Sequence, residues 1–262
     1  MRSLIPIFAT IILLGCQGAS GTYYSLEHED KDAKNMFQGI WMNDDEGYAS
    51  LYIRGDSMFF PDTTSIPMRF WIYKDSLYTE GRNINRYKIT AQGEHVFKYI
   101  SQTGDEIRLV KSDDQSFVNI FFQPRPYAIN IFRTINRDTI GEGMGMKYRC
   151  NMIIEPTSER VVKSLLNDDG MEVDNMYLDN VAKVNVSIGG KHIYSHDFHK
   201  SEFNQFVPTE FMQHSILRDV QYNKADTGAV YLDAIIGFPD ASTSYVVELK
   251  ISKNGKLTTR LR

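Results

Sequence analysis

Between Phe37 and Ser112 the chain is cut into short apolar runs, and this punctuation limits the folds open to it. "YASLYIRG", "SMFFP", "MRFWIYK", "SLYTE", "RYKITAQ", "EHVFKYIS" and "EIRLVKS" follow one another with little between them. "RGDS", "KDS", "QGE" and "TGDE" sit between the runs or at their edges. Glycine and small polar residues of this kind supply tight turns, several with positive φ. Aromatic and β-branched residues fill the runs, as a pleated and partly buried surface favours. Strands this closely spaced leave no room for crossover helices, so they predict a sandwich or barrel and exclude βαβ units. Alternation places Tyr87, Ile89 and Ala91 on one side of "RYKITAQ". In "EHVFKYIS" it sets Val96, Lys98 and Ile100 against His95, Phe97 and Tyr99. Both faces carry apolar residues, as in a barrel wall that something else covers.

Past residue 112 the pattern loosens. "FVNIFF" and "YAINIF" are candidate strands around "PRP", and residues 124–148 read as a connection that ends in the glycine-rich "GEGMGMK". A second β-rich block, with α+β character and sandwich-like, spans 149–262. "KYRCNMIIEP" predicts a strand. "SERVVKSLL" predicts a short helix, with Ser158 as N-cap and Val161, Val162, Leu165 and Leu166 on one face. "NVAKVNVSIGGKHIYSHDF" predicts a hairpin in which Ala182, Val184, Val186 and Ile188 share a face and Gly189-Gly190 form the turn. "KSEFNQF" and "PTEFMQHSILRDV" predict short helices, the second with Pro208 near its start and Phe211, Ile216 and Leu217 near one face. The chain ends in strands, with Asn254-Gly255 as a hairpin turn.

The N-terminus is of another kind. "MRSLIPIFATIILLG" has Arg2 and then an apolar stretch from Leu4 to Leu14, far short of the roughly 20 residues that span a bilayer. It has the build of a secretory signal. Leu13, Gly15 and Cys16 at its end resemble the lipobox of bacterial lipoproteins. That resemblance implies cleavage before Cys16 and lipid on its thiol, which anchors the chain to a membrane. Gln17 stands where an inner-membrane retention signal of that family has aspartate. Residues 1–15 are thus expected to be a signal peptide and 16–35 a polar tether. The address expected is the cell envelope, on an outer membrane, facing the periplasm or the exterior. With Cys16 lipidated, Cys150 has no partner within the chain, and disulfide stapling is excluded.

Gly39-Ile40-Trp41 ahead of the strand series resembles the Gly-x-Trp of lipocalins, in which the tryptophan closes one end of an eight-stranded barrel. Seven or eight strands follow it up to Lys111, so the resemblance implies a lipocalin-like domain over 36–123. Trp41, Phe59, Phe70, Tyr78 and Phe97 are the expected barrel-filling residues and the candidate ligand contacts. Signal, tether and two all-β blocks together resemble uncharacterised two-part bacterial lipoproteins.

Chemistry is sparse. The formal charge is −4, and removal of residues 1–15 deletes Arg2 and no acid. A chain this acidic, without a basic cluster, lacks the electrostatic footprint of a nucleic-acid binder. His192, His196 and His199 lie close in sequence. On a strand, His192 and His196 share a face about 13 Å apart, too far for one metal ion, and His199 lies opposite. In "NDDGMEVDNMYLDN" the acids Asp168, Asp169, Glu172, Asp174 and Asp179 depart from the calcium-loop pattern, because Leu165 and Met176 would occupy its first and twelfth positions. They read as a solvated acidic loop. No nucleophile elbow, zinc-protease helix or phosphate loop occurs. The chain is therefore expected to be no enzyme and to hold no metal or cofactor. It is expected to act as a lipid-anchored binding or assembly module toward an envelope protein or glycan. A lipocalin-like carrier of a small apolar ligand is the alternative.

Overall fold

The computed structural model describes residues 29–122, 128–129, 134–143 and 145–262. The expected signal peptide, Cys16 and most of the expected tether lie outside the described residues. The end of the tether departs from expectation. Residues 31–36 form a one-turn helix, α1 (Lys31–Met36), whose Ala33 N–H donates to the capping Asp30 Oδ1 at 2.9 Å. Lys34 bridges Glu29 at 2.5 Å and Asp56 at 2.6 Å. Ala33 packs against the first core, so this polar stretch gains the apolar contact that composition alone does not promise.

Eight antiparallel strands then close on themselves. β1 (Gly39–Asn43), β2 (Ala49–Arg54), β3 (Ser57–Phe59), β4 (Met68–Tyr73), β5 (Ser76–Glu80), β6 (Ile84–Gln92), β7 (Val96–Ile100) and β8 (Glu106–Ser112) each pair with the next, and β8 returns to β1. Closure removes the exposed edges of an open sheet. Eight strands leave an interior just wide enough for side chains. Leu51, Ile53, Met58, Ile72, Leu77, Tyr87, Tyr99 and Leu109 fill it together with Trp41, Phe70 and Phe97. Phe37 stacks on Phe97 with ring centroids 4.0 Å apart and meets the edge of Phe70 at 5.9 Å. The Trp41 indole N–H donates to the Phe37 carbonyl at 2.8 Å. That bond satisfies the ring's polar end inside the core and closes this end of the barrel.

Two expectations change here. A bulge between Ile89 and Ala91 breaks the alternation of β6 and turns Ala91 away from the Tyr87 face. "FVNIFF" is not a strand: Asp114 caps a 3-10 turn (Gln115–Phe117) by accepting from Ser116 N–H at 2.9 Å, and α2 (Val118–Phe122) follows. A closed barrel offers a further strand no edge to pair with. The apolar run therefore lies on the outer wall, where Phe121 is buried with Ile40 and Ala49.

The remainder is a β-sandwich. One sheet has the order β10 (Ile135–Gly143), β11 (Met146–Leu166), β12 (Glu172–Ile188), β13 (Lys191–His199), with β9 (Ala128–Ile129) parallel to β12. The other is β14 (Ile216–Ala225), β15 (Ala229–Gly237), β16 (Ser244–Ser252), β17 (Leu257–Leu261). Cys150, Met152, Ala182, Val184 and Val186 of the first face Val220, Leu232, Ala234, Val247 and Leu249 of the second in one core. A 3-10 turn (Lys200–Phe203) and α3 (Thr209–His214) add Phe203 and Met212 to it. The predicted hairpin forms between β12 and β13, with Gly189 and Gly190 at φ 55° and 83°. Both positions of such a two-residue turn require positive φ.

The helix predicted for "SERVVKSLL" is replaced by the outer half of the 21-residue strand β11. Its helical spacing loses to pairing: Arg160 to Leu166 match Leu178 to Glu172 one for one. Pro156 is accommodated because the ladder is interrupted just after it, where Thr157, Ser158 and Glu159 bulge opposite Asp179. α3 likewise stops at His214, and Ile216 and Leu217 begin β14 instead of continuing a helix.

Cys150 is fully buried and burial pushes its thiol up to about 12. In a Cys16→Ser chain, where it is the remaining thiol, a disulfide reagent at pH 8 should leave the native protein almost unmodified and react fully in denaturant. Rapid native labelling would contradict this packing.

Candidate functional site

The outer half of the β11–β12 hairpin runs beyond the sandwich and ends in the barrel mouth. Its turn is Asn167-Asp168-Asp169-Gly170-Met171, in which Met171 N–H donates to Asn167 Oδ1 at 2.8 Å and Gly170 N–H to the Asn167 carbonyl at 2.9 Å. Gly170 has φ 64°, and a Cβ on it would lie 2.6 Å from Ser101 Cβ. Only glycine provides both the backbone conformation and this close approach. Just beyond the turn, Met171 and Val173 are buried in the barrel core. The hairpin thus corks the end opposite Phe37.

Polar contacts fix the cork. Tyr99 Oη donates to the Asp169 carbonyl at 2.8 Å, Gln102 N–H to the Gly170 carbonyl at 3.0 Å, and Glu172 N–H to Tyr87 Oη at 2.9 Å. The Asp169 carboxylate, 2 % exposed, accepts from Asn43 Nδ2 at 2.7 Å, Tyr48 Oη at 2.9 Å and Ser50 Oγ. Burial, then the hydrogen bond to Asp169, pushes the Tyr48 hydroxyl well above its ordinary pKa. Burial, then the Asp169 charge, does the same to Tyr99. Both phenols therefore stay protonated as donors. On the other side, Asp174 accepts from Arg82 N–H and Ser164 Oγ, each at 2.6 Å. The β3–β4 loop adds main-chain bonds, Ile66 N–H to Asp174 O at 2.8 Å and Met176 N–H to Thr64 O at 2.9 Å.

Beside this junction lies a half-open cleft of about 270 Å³. Tyr48, Ser50, Phe60, Pro61, Asp62 and Thr64 of the barrel line one side. Leu165, Leu166, Asn167, Asp168, Asp169, Val173, Asn175 and Tyr177 of the hairpin line the other. Burial pushes the Tyr177 hydroxyl up to about 12, with the charge of Asp240 adding to it.

Of the five candidate ligand contacts, Trp41, Phe70 and Phe97 lie inside the barrel. Phe59 and Tyr78 do not, which corrects the sequence reading. Phe59 packs on the outer wall against Tyr52 and Phe122. Tyr78 stacks on Trp71 at 5.3 Å, because Leu77 takes the inward position of β5. The solvated acidic loop is a second correction: Asp169, Asp174 and Asp179 are buried, and only its Asp168 and Glu172 keep exposed or half-exposed positions. Asp179 accepts from Leu217 N–H at 2.8 Å and pairs with Lys200 at 3.2 Å, which ties the β11 bulge to β14. The histidines are exposed, and a bulge at Ile193 puts His192 and His196 on opposite faces of β13. His196 meets Glu202 at 2.8 Å. Among the described residues no group of His, Cys, Asp and Glu is placed to hold a metal ion.

Residues 113–259 match the family described as a domain of unknown function, DUF4738. The chain belongs to that family. No curated protein matches it. The DUF4738 segment starts one residue after β8 ends. It therefore covers the hairpin and the sandwich up to the middle of β17, and the barrel that the hairpin corks precedes it.

Asp169→Ala would strand the Asn43, Tyr48 and Ser50 donors in a buried site. It should lower unfolding stability by about 3 kcal/mol, by the cost of unsatisfied buried groups. Urea titration measures this, and a loss within error would show that the carboxylate does not hold the junction.

Proposed function

We propose that this chain is a lipid-anchored lipoprotein of the bacterial cell envelope whose body is a non-enzymatic binding or assembly module. The observation that carries the address is Leu13-Leu14-Gly15-Cys16 after a short apolar stretch headed by Arg2. Two acyl chains or more on Cys16 give stable anchoring at about 0.8 kcal/mol per buried methylene. A module of this kind works through its surface and its junction. The filled and corked barrel supports that choice, since Trp41, Phe70 and Phe97 take the space an enclosed ligand would need. The partner in this reading is an envelope protein or glycan.

The closed eight-stranded barrel is compatible with a second reading, a lipocalin-like carrier of a small apolar ligand. Such a ligand has to displace the cork or the aromatic side chains. Titration with a fluorescent fatty acid separates the two: saturable binding favours the carrier, and its absence favours the module.

Cys16→Ser should move the protein from the membrane to the soluble fraction of its host and abolish incorporation of labelled fatty acid. An unchanged distribution would refute the anchor.

A further inference from the structure

The two ends of the barrel differ in charge. At the hairpin end, the β1–β2 turn exposes Asp44, Asp45 and Glu46, and the β7–β8 turn exposes Asp105. The chain enters at the other end. There Asp30 N–H donates to the Ile72 carbonyl at 2.8 Å and Gln92 Nε2 to the Ala33 carbonyl at 2.6 Å, so α1 sits between the strand ends. Around it, Asp56 and Asp75 of the β2–β3 and β4–β5 turns meet Lys34 at 2.6 Å and Arg86 at 3.6 Å. Arg54 and Lys74, beside those acids, are exposed and pair with no carboxylate among the described residues. Lys74 has φ 53°, the one positive value outside glycine among the described residues. Such a turn position favours glycine or asparagine, so a cation is kept at this tip against a backbone cost. Met36, at the end of α1, and Phe122, under the Arg54 guanidinium at 4.8 Å, are each 39 % exposed. Gln38 holds this side together through bonds to Gly55 N–H at 2.8 Å and to its carbonyl at 3.1 Å.

We infer that the chain-entry end of the barrel is a membrane-contact surface that lies on lipid headgroups, with the sandwich pointing away from the membrane. Arg54 and Lys74 meet headgroup phosphates, and Met36 and Phe122 enter the interfacial layer. Place supports this: the chain from Cys16 to Glu29 spans at most about 45 Å, and it joins the body at this end, which the anchor therefore holds nearest. Charge supports it too. Unpaired cations close to an anionic surface are attracted to it, and the exposed acids at the hairpin end are repelled. Apolar and aromatic side chains beside a cation suit the boundary between headgroups and acyl chains. The inference rests on the anchored reading and gives the body an orientation on its membrane.

The test uses the intact lipidated chain in vesicles of phosphatidylethanolamine and phosphatidylglycerol that carry a nitroxide-headgroup lipid. A fluorophore is attached at Met36→Cys, or at Thr227→Cys in the β14–β15 turn, which lies beside the β10–β11 turn at the far end of the sandwich. Cys150 is buried and stays unlabelled. Clearly stronger quenching at residue 36 than at residue 227 is expected. Arg54→Gln and Lys74→Gln should each lower the membrane-contacting population about fivefold, with flotation on the vesicles unchanged. Equal quenching at the two positions, stronger quenching at 227, or quenching that both glutamine variants leave unaltered would overturn the inference. So would shielding of residue 36 that grows with protein density instead of with lipid, the mark of a second copy on this face. Flotation is read in the same samples. Its loss would overturn anchor and contact together, whereas chains that float without preferential quenching at residue 36 refute the contact alone.

Discussion

A carboxylate buried where barrel meets hairpin sets the conditions for the rest of the molecule. The Asp169 carboxylate, 2 % exposed, stands in a site where an unsatisfied polar group would cost several kcal/mol. It is tolerated because Asn43, Tyr48 and Ser50, on two neighbouring strands and their turn, aim three donors at it. Those donors are in turn oriented: Asn43 Oδ1 accepts from Asp45 and Glu46 N–H, both at 3.0 Å. The β1–β2 turn, the hairpin tip and the barrel mouth are therefore one cooperative unit. Hydrogen bonding sets the direction of docking, and burial of Met171 and Val173 supplies the apolar gain.

The bulge at Thr157, Ser158 and Glu159 makes this docking possible. The inner halves of β11 and β12 lie in the sandwich and carry Cys150, Met152, Val184 and Val186 into its core. A regular ladder would keep the outer halves on the same sheet course. A bulge bends the strand and increases its local twist, and the outer halves reach a different core. Asp179 holds the bend by accepting from Leu217 N–H and pairing with Lys200, while Thr157 Oγ1 donates to its carbonyl at 3.0 Å. One hairpin thus contributes to two hydrophobic cores.

The sequence made the strands legible where turn chemistry was explicit. Gly189-Gly190 and Asn254-Gly255 mark real hairpin turns, and the eight barrel strands follow the runs read between Phe37 and Ser112. Three kinds of feature escaped. Bulges at Ile89/Ala91 and Ile193 reversed faces that strict alternation had assigned, because an inserted residue leaves no mark in a period-2 pattern. "SERVVKSLL" has helical spacing, and only its partner 172–178, distant in sequence, decides for strand. The site was hidden most deeply. An aspartate in "NDDG" reads as solvated, and nothing local says that another part of the chain presents donors to it. The available signal was Met171 and Val173, apolar residues at alternate positions directly after an acidic glycine turn, where a solvated loop has no use for them.

Charge compensation divides along the same line as the architecture. Of the four buried carboxylates among the described residues, Asp179 and Glu248 belong to the sandwich side and have cationic partners. Asp169 and Asp174 belong to the barrel junction and are held by backbone N–H, hydroxyl and amide donors. A buried ion pair costs desolvation of both members, and its Coulombic gain does little more than offset that. Neutral donors satisfy the carboxylate without the desolvation of a second charged group. The geometry that fastens the hairpin into the barrel thus satisfies both junction carboxylates without burying a cationic side chain beside either, among the described residues.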